Sequence, residues 1–293
     1  MIPSHIKSLI LDMDGVLWKD SSPIGDLPAI FARIRQRGLK VAFATNNGTR
    51  TPEQYIERLA GFGVTAQPWQ VVTSSLVVAE LLARRFGPIP PIPPSPPPRP
   101  SPIPHYRNGG GYGKGRGAGG PGQVFAIGEE GVMKALREKG FELLPVEEAE
   151  KAQAVVMGID RQINYYKMRE AALLVRRGLP FYATNPDKTF PTPRGEIPGA
   201  GAWISVIVTA TGIEPIYAGK PAPYQLELAR ERLGTVKEET LVVGDRLETD
   251  IAGGQAAGCP IALVLSGVST REQADAWRPR IDIVAENLTR LVD

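Results

Sequence analysis

The chain alternates short, wholly apolar runs with longer stretches in which apolar residues return every three or four positions. Ser8 to Asp12 (SLILD), Lys40 to Ala44 (KVAFA), QVFAIG from Gln123, AQAVVMGI from Ala152, PFYATN from Pro180, TLVVGD from Thr240 and IALVLS from Ile261 are too short for helices. They also lack the strict alternation of a half-solvated strand, so they read as strands buried on both faces. Amphipathic segments lie between them. One (DLPAIFARIRQRG) closes on Gly38, and one opens at Thr51-Pro52, where proline suits the first helical position, and closes near Gly61. Others cover Ser75 to Phe86, EEGVMKALREKG, Asn164 to Arg177, GAGAWISVIVTATG, Pro223 to Leu233 and a short stretch near Thr249 to Ala257. Strands and helices in alternation predict an α/β fold with a parallel sheet covered on both faces. No internal repeat is present.

One stretch breaks the pattern. Pro88 to Gly122 holds 11 prolines as far as Pro104 and 9 glycines from Gly109 onward, and cannot build a core, so it is expected to be disordered. It also explains the net charge of +3: it carries Arg99, Arg107, Lys114 and Arg116 and no acidic residue. Without those four, 30 basic residues face 31 acidic ones, so the body of the protein has no basic excess to attract nucleic acid. A hydrophobic fraction of 42% with 22% charged residues is that of a globular protein, and no run approaches the roughly 18 apolar residues that cross a bilayer. Met1 to Lys7 leads at once to Asp12 and Asp14 rather than to a signal-peptide pattern, so a cytoplasmic protein is expected. Cys259, the single cysteine, reads as a packed apolar residue, and His5 and His105, the only histidines, sit near the terminus and inside the odd segment.

Candidate chemistry clusters at strand ends. The first strand closes on Asp12-Met13-Asp14-Gly15, and three more polar groups stand in like positions: Thr45-Asn46-Asn47, Gly219-Lys220-Pro221, and Gly244-Asp245 through Thr249-Asp250. Ligands of open α/β sheets bind outside the carboxyl ends of the strands, where these clusters would meet. Four aspartates (Asp12, Asp14, Asp245, Asp250) in one crevice repel unless a cation joins them. An all-oxygen set without histidine or cysteine suits magnesium, and Lys220 adds a second positive charge. Such a site is suited to holding a phosphoryl group and stabilising its transition state.

The stretches LILDMDGVLW, FATNNGTRT, YAGKPAPY and VVGDRLETDI resemble the four ordered motifs of the haloacid dehalogenase superfamily, and within it the chain is similar to the NagD-like, subfamily IIA branch of phosphatases. The resemblance implies a Rossmann-like parallel core in which Asp12 attacks phosphorus and becomes an aspartyl phosphate, while Asp14 protonates the leaving oxygen and then activates water. It implies that Thr45, Asn46 and Asn47 bind the phosphoryl oxygens and that Lys220 offsets charge. Magnesium would be held by Asp12, the Asp14 carbonyl and Asp245, with Asp250 as a ligand or a support. An aspartate two residues beyond the nucleophile separates phosphatases from dehalogenases, which do not need it.

Asp14 to Thr45 spans 31 residues, enough for one helix and one strand, whereas Thr45 to Lys220 spans 175. A second, α/β domain is therefore expected between them, the place of a class II cap in this branch. The expected boundaries are a core of residues 1–74 and 199–293 and a cap of 75–198 containing the 88–122 insertion. Its last loop would place Asp187, Lys188 and Phe190 at the substrate. For Lys188 the alternatives are a contact to a second anion on the substrate or a solvated loop charge, and for Phe190 a leaving-group contact or a cap-core residue. Trp18, Trp69, Trp203 and Trp277 read as packing. The expected function is hydrolysis of small phosphorylated metabolites, with no nucleic-acid or membrane partner and with a homodimer through the cap. The rival readings are an interaction protein acting through its Pro/Gly-rich arm and a phosphotransferase on the same core.

Overall fold

The computed structural model describes residues 2–86, 122–192 and 194–293. All of the Pro88 to Gly122 segment except Gly122 lies outside the described residues, and with it the expectation of disorder there.

The first half of the core runs β1 (Ser8–Leu11), a small hairpin of β2 (Trp18–Lys19) and β3 (Ser22–Pro23), α1 (Leu27–Gln36), β4 (Lys40–Thr45), α2 (Pro52–Gly61), β5 (Val71–Thr73) and α3 (Ser74–Phe86). A second unit follows with β6 (Gln123–Ile127), α4 (Glu130–Glu138), β7 (Glu142–Leu143), β8 (Ala154–Met157), α5 (Tyr165–Arg176), β9 (Phe181–Ala183), a hairpin of β10 (Thr189–Thr192) and β11 (Gly195–Pro198), α6 (Ala200–Thr211) and β12 (Ile216–Tyr217). The core resumes with α7 (Tyr224–Leu233), β13 (Thr240–Gly244), a π-helical turn at Leu247–Ile251, α8 (Ala252–Ala256), β14 (Ile261–Val264), α9 (Arg271–Ala276), β15 (Ile283–Ala285) and α10 (Leu288–Val292).

Six parallel strands form the core sheet in the order β15-β14-β13-β1-β4-β5. The apolar runs are central here: every residue of β1 and β13 is buried, as a strand covered by helices on both faces requires. Leu11 faces Phe43 on one side and Val243 on the other. From β1 the chain steps outward through β4 to β5, and later returns to the other flank through β13, β14 and β15. The strand order therefore reverses at β1, and the carboxyl ends of β1 and β13 open the crevice in which ligands of such sheets bind.

Two capped helices frame it. Asp26 accepts from the Ala29 amide at the start of α1. Thr51 and Gln54 form a reciprocal capping box at the start of α2, with Pro52 where its missing N–H costs nothing.

The second unit is a five-stranded parallel sheet in the order β12-β9-β8-β6-β7. Its limits differ from the expected ones. β12 pairs with β9 (Ile216 with Tyr182, Tyr217 with Ala183) and α6 packs on α5, so this unit continues to Tyr217 rather than ending at Pro198. At the other limit a boundary at Ser75 cuts α3, which packs against both α4 and α7. A two-residue strand carries no pattern of its own, and only its partner identifies it. The same pairing changes the origin of one polar cluster: Gly219-Lys220-Pro221 follows a strand of the second sheet, and Lys220 re-enters the core crevice from that side.

Candidate active site

Asp12 lies one residue beyond β1 and extends its ladder by donating its amide to the Val243 carbonyl at 2.9 Å. Met13 is fully buried, whereas its neighbours Asp12 and Asp14 both line the crevice. Asp14 is exposed, and its Oδ1 accepts from the Trp18 indole N–H at 2.8 Å. The β2–β3 hairpin aims that N–H back at Asp14, so Trp18, wholly buried, positions Asp14 as well as packing. Gly15 makes the turn between them at φ +84°, and a Cβ there would stand 2.5 Å from the Asp245 carboxylate.

Lys220 is buried at the centre of the charges. Its ammonium lies 2.6 Å from Asp12 Oδ1 and 2.6 Å from Asp250 Oδ1, and it donates to the Ala44 carbonyl at 2.8 Å, which uses all three of its hydrogens. Asp250 sits on the π-helical turn, which folds its carboxylate back beneath the end of β13. There Oδ2 accepts from the amides of Asp245 and Arg246 at 3.2 and 3.1 Å. Asp245 Oδ2 accepts from the Val268 amide at 2.8 Å.

Burial by itself would lower the affinity of Lys220 for its proton, but the charges of Asp12 and Asp250 outweigh it and hold the ammonium. Burial drives Asp12 well above the usual carboxylate range despite the pull of Lys220, with Asp250 and Asp245 adding to the rise. Asp245 is pushed up to about 7 by burial and then by the Asp250 charge.

Asp12, Asp245 and Asp250 each bring a carboxylate oxygen within 4.8 Å of the others. When all three carboxylates are ionised, one ammonium leaves two negative charges uncompensated, and the donors are all hard oxygens. That set fits a divalent cation of the magnesium type. The pH dependence follows in sign. Asp245 in the folded chain retains a proton that an ordinary carboxylate gives up near pH 4, so its contribution to stability falls as pH rises from about 4 to about 7. A cation needs the deprotonated oxygens, so a saturating divalent cation is expected to raise Tm more at pH 8 than at pH 5, measured by calorimetry against chelator at each pH. Equal increments would remove the coupling.

The edge at β4 is braced from several directions. The Thr45 hydroxyl accepts from the Asn47 amide at 3.1 Å. Asn46 pairs with the Lys220 backbone through both amide atoms, at 2.8 and 2.9 Å, and reaches the Asp187 carboxylate at 3.2 Å. Its carbonyl accepts from Ser74 and Asn185, both at 2.8 Å. Asn47 Oδ1 accepts from the amide and hydroxyl of Thr49. The side chains of Asn46 and Asn47, expected at the phosphoryl oxygens, are thus engaged within the protein, although both residues line the cavity. Gln225, unremarkable in sequence, is fully buried and ties the ends of β4 and β5 together by donating to the carbonyls of Thr45 and Val72 at 2.8 and 2.7 Å.

Above these groups lies a cavity of about 620 Å³ that takes in Asp12, Asp14, Thr45, Lys220, Asp245 and Asp250 from the core, and Asp187 and Phe190 from the second unit. Burial raises the Asp187 carboxyl, against the Asn46 hydrogen bond. Phe190, on β10, faces the cavity. Lys188, next to Asp187 in the chain, is exposed and does not line the cavity. Sequence reasoning also passed over Arg50 and Arg58, which line the same cavity. Their only sequence signal is position, on or just before the helix that follows Thr45-Asn46-Asn47.

A sequence profile of haloacid dehalogenase-like hydrolases matches residues 9–142, and a second, HAD-hydrolase-like profile matches 217–291. The chain is 34% identical over 266 residues to the 5'-nucleotidase YutF of Bacillus subtilis (strain 168), covering 91% of this chain and 90% of that protein. Its fold superposes on a p-nitrophenyl phosphatase from Archaeoglobus fulgidus with a TM-score of 0.80 at 31% identity, covering 98% of each chain. It superposes on the glycerol phosphate phosphatase Rv1692 from Mycobacterium tuberculosis, solved in complex with magnesium, with a TM-score of 0.81 at 30% identity, covering 99% of this chain and 78% of that one. With profile matches over both parts of the core and relatives at 30% identity or more along nearly the whole chain, the chain belongs to the haloacid dehalogenase-like hydrolase family.

Proposed function

We propose that the protein is a magnesium-dependent phosphatase that hydrolyses small phosphomonoesters through an aspartyl phosphate on Asp12, working in the cytoplasm. The observation that carries this reading is the buried Lys220 ammonium clamped between Asp12 and Asp250, at the base of a cavity that also takes in Asp14, Thr45 and Asp245. Relatives named as a nucleotidase and as phosphatases of nitrophenyl and glycerol phosphates support it.

Asp12, Asp245 and the Asp14 backbone carbonyl, with Asp250 beside them, would hold magnesium, which would supply the positive charge that lets a carboxylate and a phosphate dianion share the crevice. The chain does the rest. A carboxylate oxygen of Asp12 forms a bond to phosphorus as the bond from phosphorus to the ester oxygen breaks, and Asp14 gives its proton to the departing oxygen. Asp14 then takes a proton from water whose oxygen attacks phosphorus. The bond to Asp12 breaks, inorganic phosphate leaves, and both aspartates regain their starting states. The Trp18 N–H keeps Asp14 aimed through both halves. Thr45 and the backbone from Thr45 to Asn47 hold the phosphoryl oxygens, with Asn46 and Asn47 keeping that backbone in place. Lys220 balances Asp12 before and after its charge changes.

The second unit acts as the cap. With Asp187 and Phe190 as its lining, it restricts the cavity to small esters and excludes water. The exposed apolar side chains of Tyr165, Tyr166 and Leu173 on α5 support a homodimer through this unit. The decisive experiment is release of nitrophenolate from p-nitrophenyl phosphate by the purified chain. Turnover with magnesium that stops on chelation is expected, and no turnover with any divalent ion would overturn the reading.

A further inference from the structure

The cavity is larger than a phosphoryl group needs, and one stretch of its wall carries a chemistry that phosphoryl transfer does not use. Arg58, half-buried on α2, stacks its guanidinium over the Trp18 ring with Cζ 4.1 Å from the centroid and donates to the Asp20 carbonyl. Arg50, just before α2, lines the same cavity and makes no hydrogen bond or ion pair with any described residue. Arg58 likewise has no carboxylate within ion-pair distance among the described residues. The carboxylates of Asp14 and Asp20 pull on it from farther away, while burial and the Arg50 charge push its proton affinity down. Two guanidiniums in mutual repulsion at a cavity wall, without a paired carboxylate, form the mirror image of the carboxylate cluster around Lys220. By the same electrostatic reasoning they lack an anion.

The position of Arg58 is set in advance. Tyr55, one turn before Arg58 on the same face of α2, is buried and donates its hydroxyl to the Asn47 carbonyl at 2.8 Å. The capping box fixes the start of that helix, and the indole fixes the plane of the Arg58 guanidinium. Trp18 also acts as a ruler. Its N–H edge holds Asp14 and its face holds Arg58, so the guanidinium lies one indole ring and one hydrogen bond from the carboxyl that handles the leaving oxygen. An anion bound by Arg58 therefore belongs to the leaving part of the ester, a few bonds from its ester oxygen.

We infer that Arg58 and Arg50 form a subsite for a second anionic group of the substrate. Preferred substrates are then short phosphomonoesters that carry a carboxylate or a second phosphate a few bonds from the ester oxygen. The inference rests on the phosphatase reading above, and assigns to these arginines the second-anion contact that Lys188, outside the cavity, does not make.

The test compares kcat/KM, with magnesium at low ionic strength, for the phosphate esters of glycolate, 3-hydroxypropanoate and 4-hydroxybutanoate, for propane-1,3-diol bisphosphate and for uncharged propyl phosphate. The best charged ester is expected to exceed propyl phosphate by about tenfold or more, the size of one or two hydrogen bonds to a charged group. Whether a carboxylate or the bisphosphate leads identifies the anion. The ratio of charged to uncharged ester is expected to fall toward one in Arg58→Met and in Arg50→Met. It is read within each variant, so a partly unfolded preparation does not disguise it, and the exposed Arg50 keeps the test open should Arg58→Met misfold. A wild-type ratio near one, or a ratio that survives both substitutions, overturns the subsite while leaving the phosphatase intact. A wild-type chain that hydrolyses none of the esters overturns the phosphatase reading, and the subsite with it.

Discussion

Asp12→Asn is expected to lose hydrolysis of p-nitrophenyl phosphate by about 10⁴-fold or more, the scale on which removal of a covalent nucleophile acts. An amide oxygen does not form the acyl phosphate, yet it matches the carboxylate in size and still accepts from Lys220, whose contact with Asp250 remains. The substitution also removes one charge from a crowded acidic cluster, so Tm is expected to stay within a few degrees of wild type or to rise. Acid-quenched wild type should carry phosphate on the chain during turnover, and the variant none. Turnover unchanged in the variant would exclude Asp12 as the nucleophile. The companion Asp14→Asn separates the two aspartates: nitrophenolate departs with little need of a proton, so this variant should lose far more rate on an alkyl phosphate than on p-nitrophenyl phosphate.

Lys220→Met is expected to damage both rate and fold. Among the described residues the ammonium is the sole buried cation beside these three carboxylates, and all of its hydrogens are used. Methionine matches its length but leaves Asp12 and Asp250 without the cation that balances them. Breaking a buried ion pair from one side costs about 3–5 kcal/mol, which for a chain of this size lowers Tm on the order of 10 °C. The loss should shrink at acid pH, where Asp12 and Asp245, already held above the usual carboxylate range, take up protons. Calorimetry at pH 5 and pH 8 reads this directly. A Tm equal to wild type at pH 8 would mean that Lys220 does not carry the charge balance assigned to it.

Much of this site was legible before the fold was known. The strands that end in Asp12, Thr45 and Gly244 are read correctly from unbroken apolar runs, because a strand buried on both faces must be apolar throughout. The identity of the charged groups followed from chemistry: oxygen donors alone, one lysine, and two aspartates two residues apart. What escaped the reading shares one cause. Trp18 is an apolar residue among apolar residues until a two-residue hairpin turns its N–H toward Asp14. Gln225 is an ordinary helical glutamine until α7 carries it under the ends of β4 and β5. Lys188 and Asp187 are adjacent in one loop, and nothing local decides that the aspartate lines the cavity while the lysine faces solvent.

The class of fold, the central strands and the acidic and basic groups available for chemistry are legible in the sequence alone. These depend on local periodicity and composition, which survive without knowledge of neighbours. Tertiary structure alone shows that the second sheet runs on to Tyr217, that Lys220 enters the crevice from that sheet, and that Asn46 braces the end of β4 by pairing with the Lys220 backbone. The last two contacts join residues 208 and 174 positions apart, and at such separations a pairing is set by how whole layers pack. Arg50 and Arg58 belong to the same group: their charges were countable from the start, but the lack of a paired carboxylate among the described residues was not.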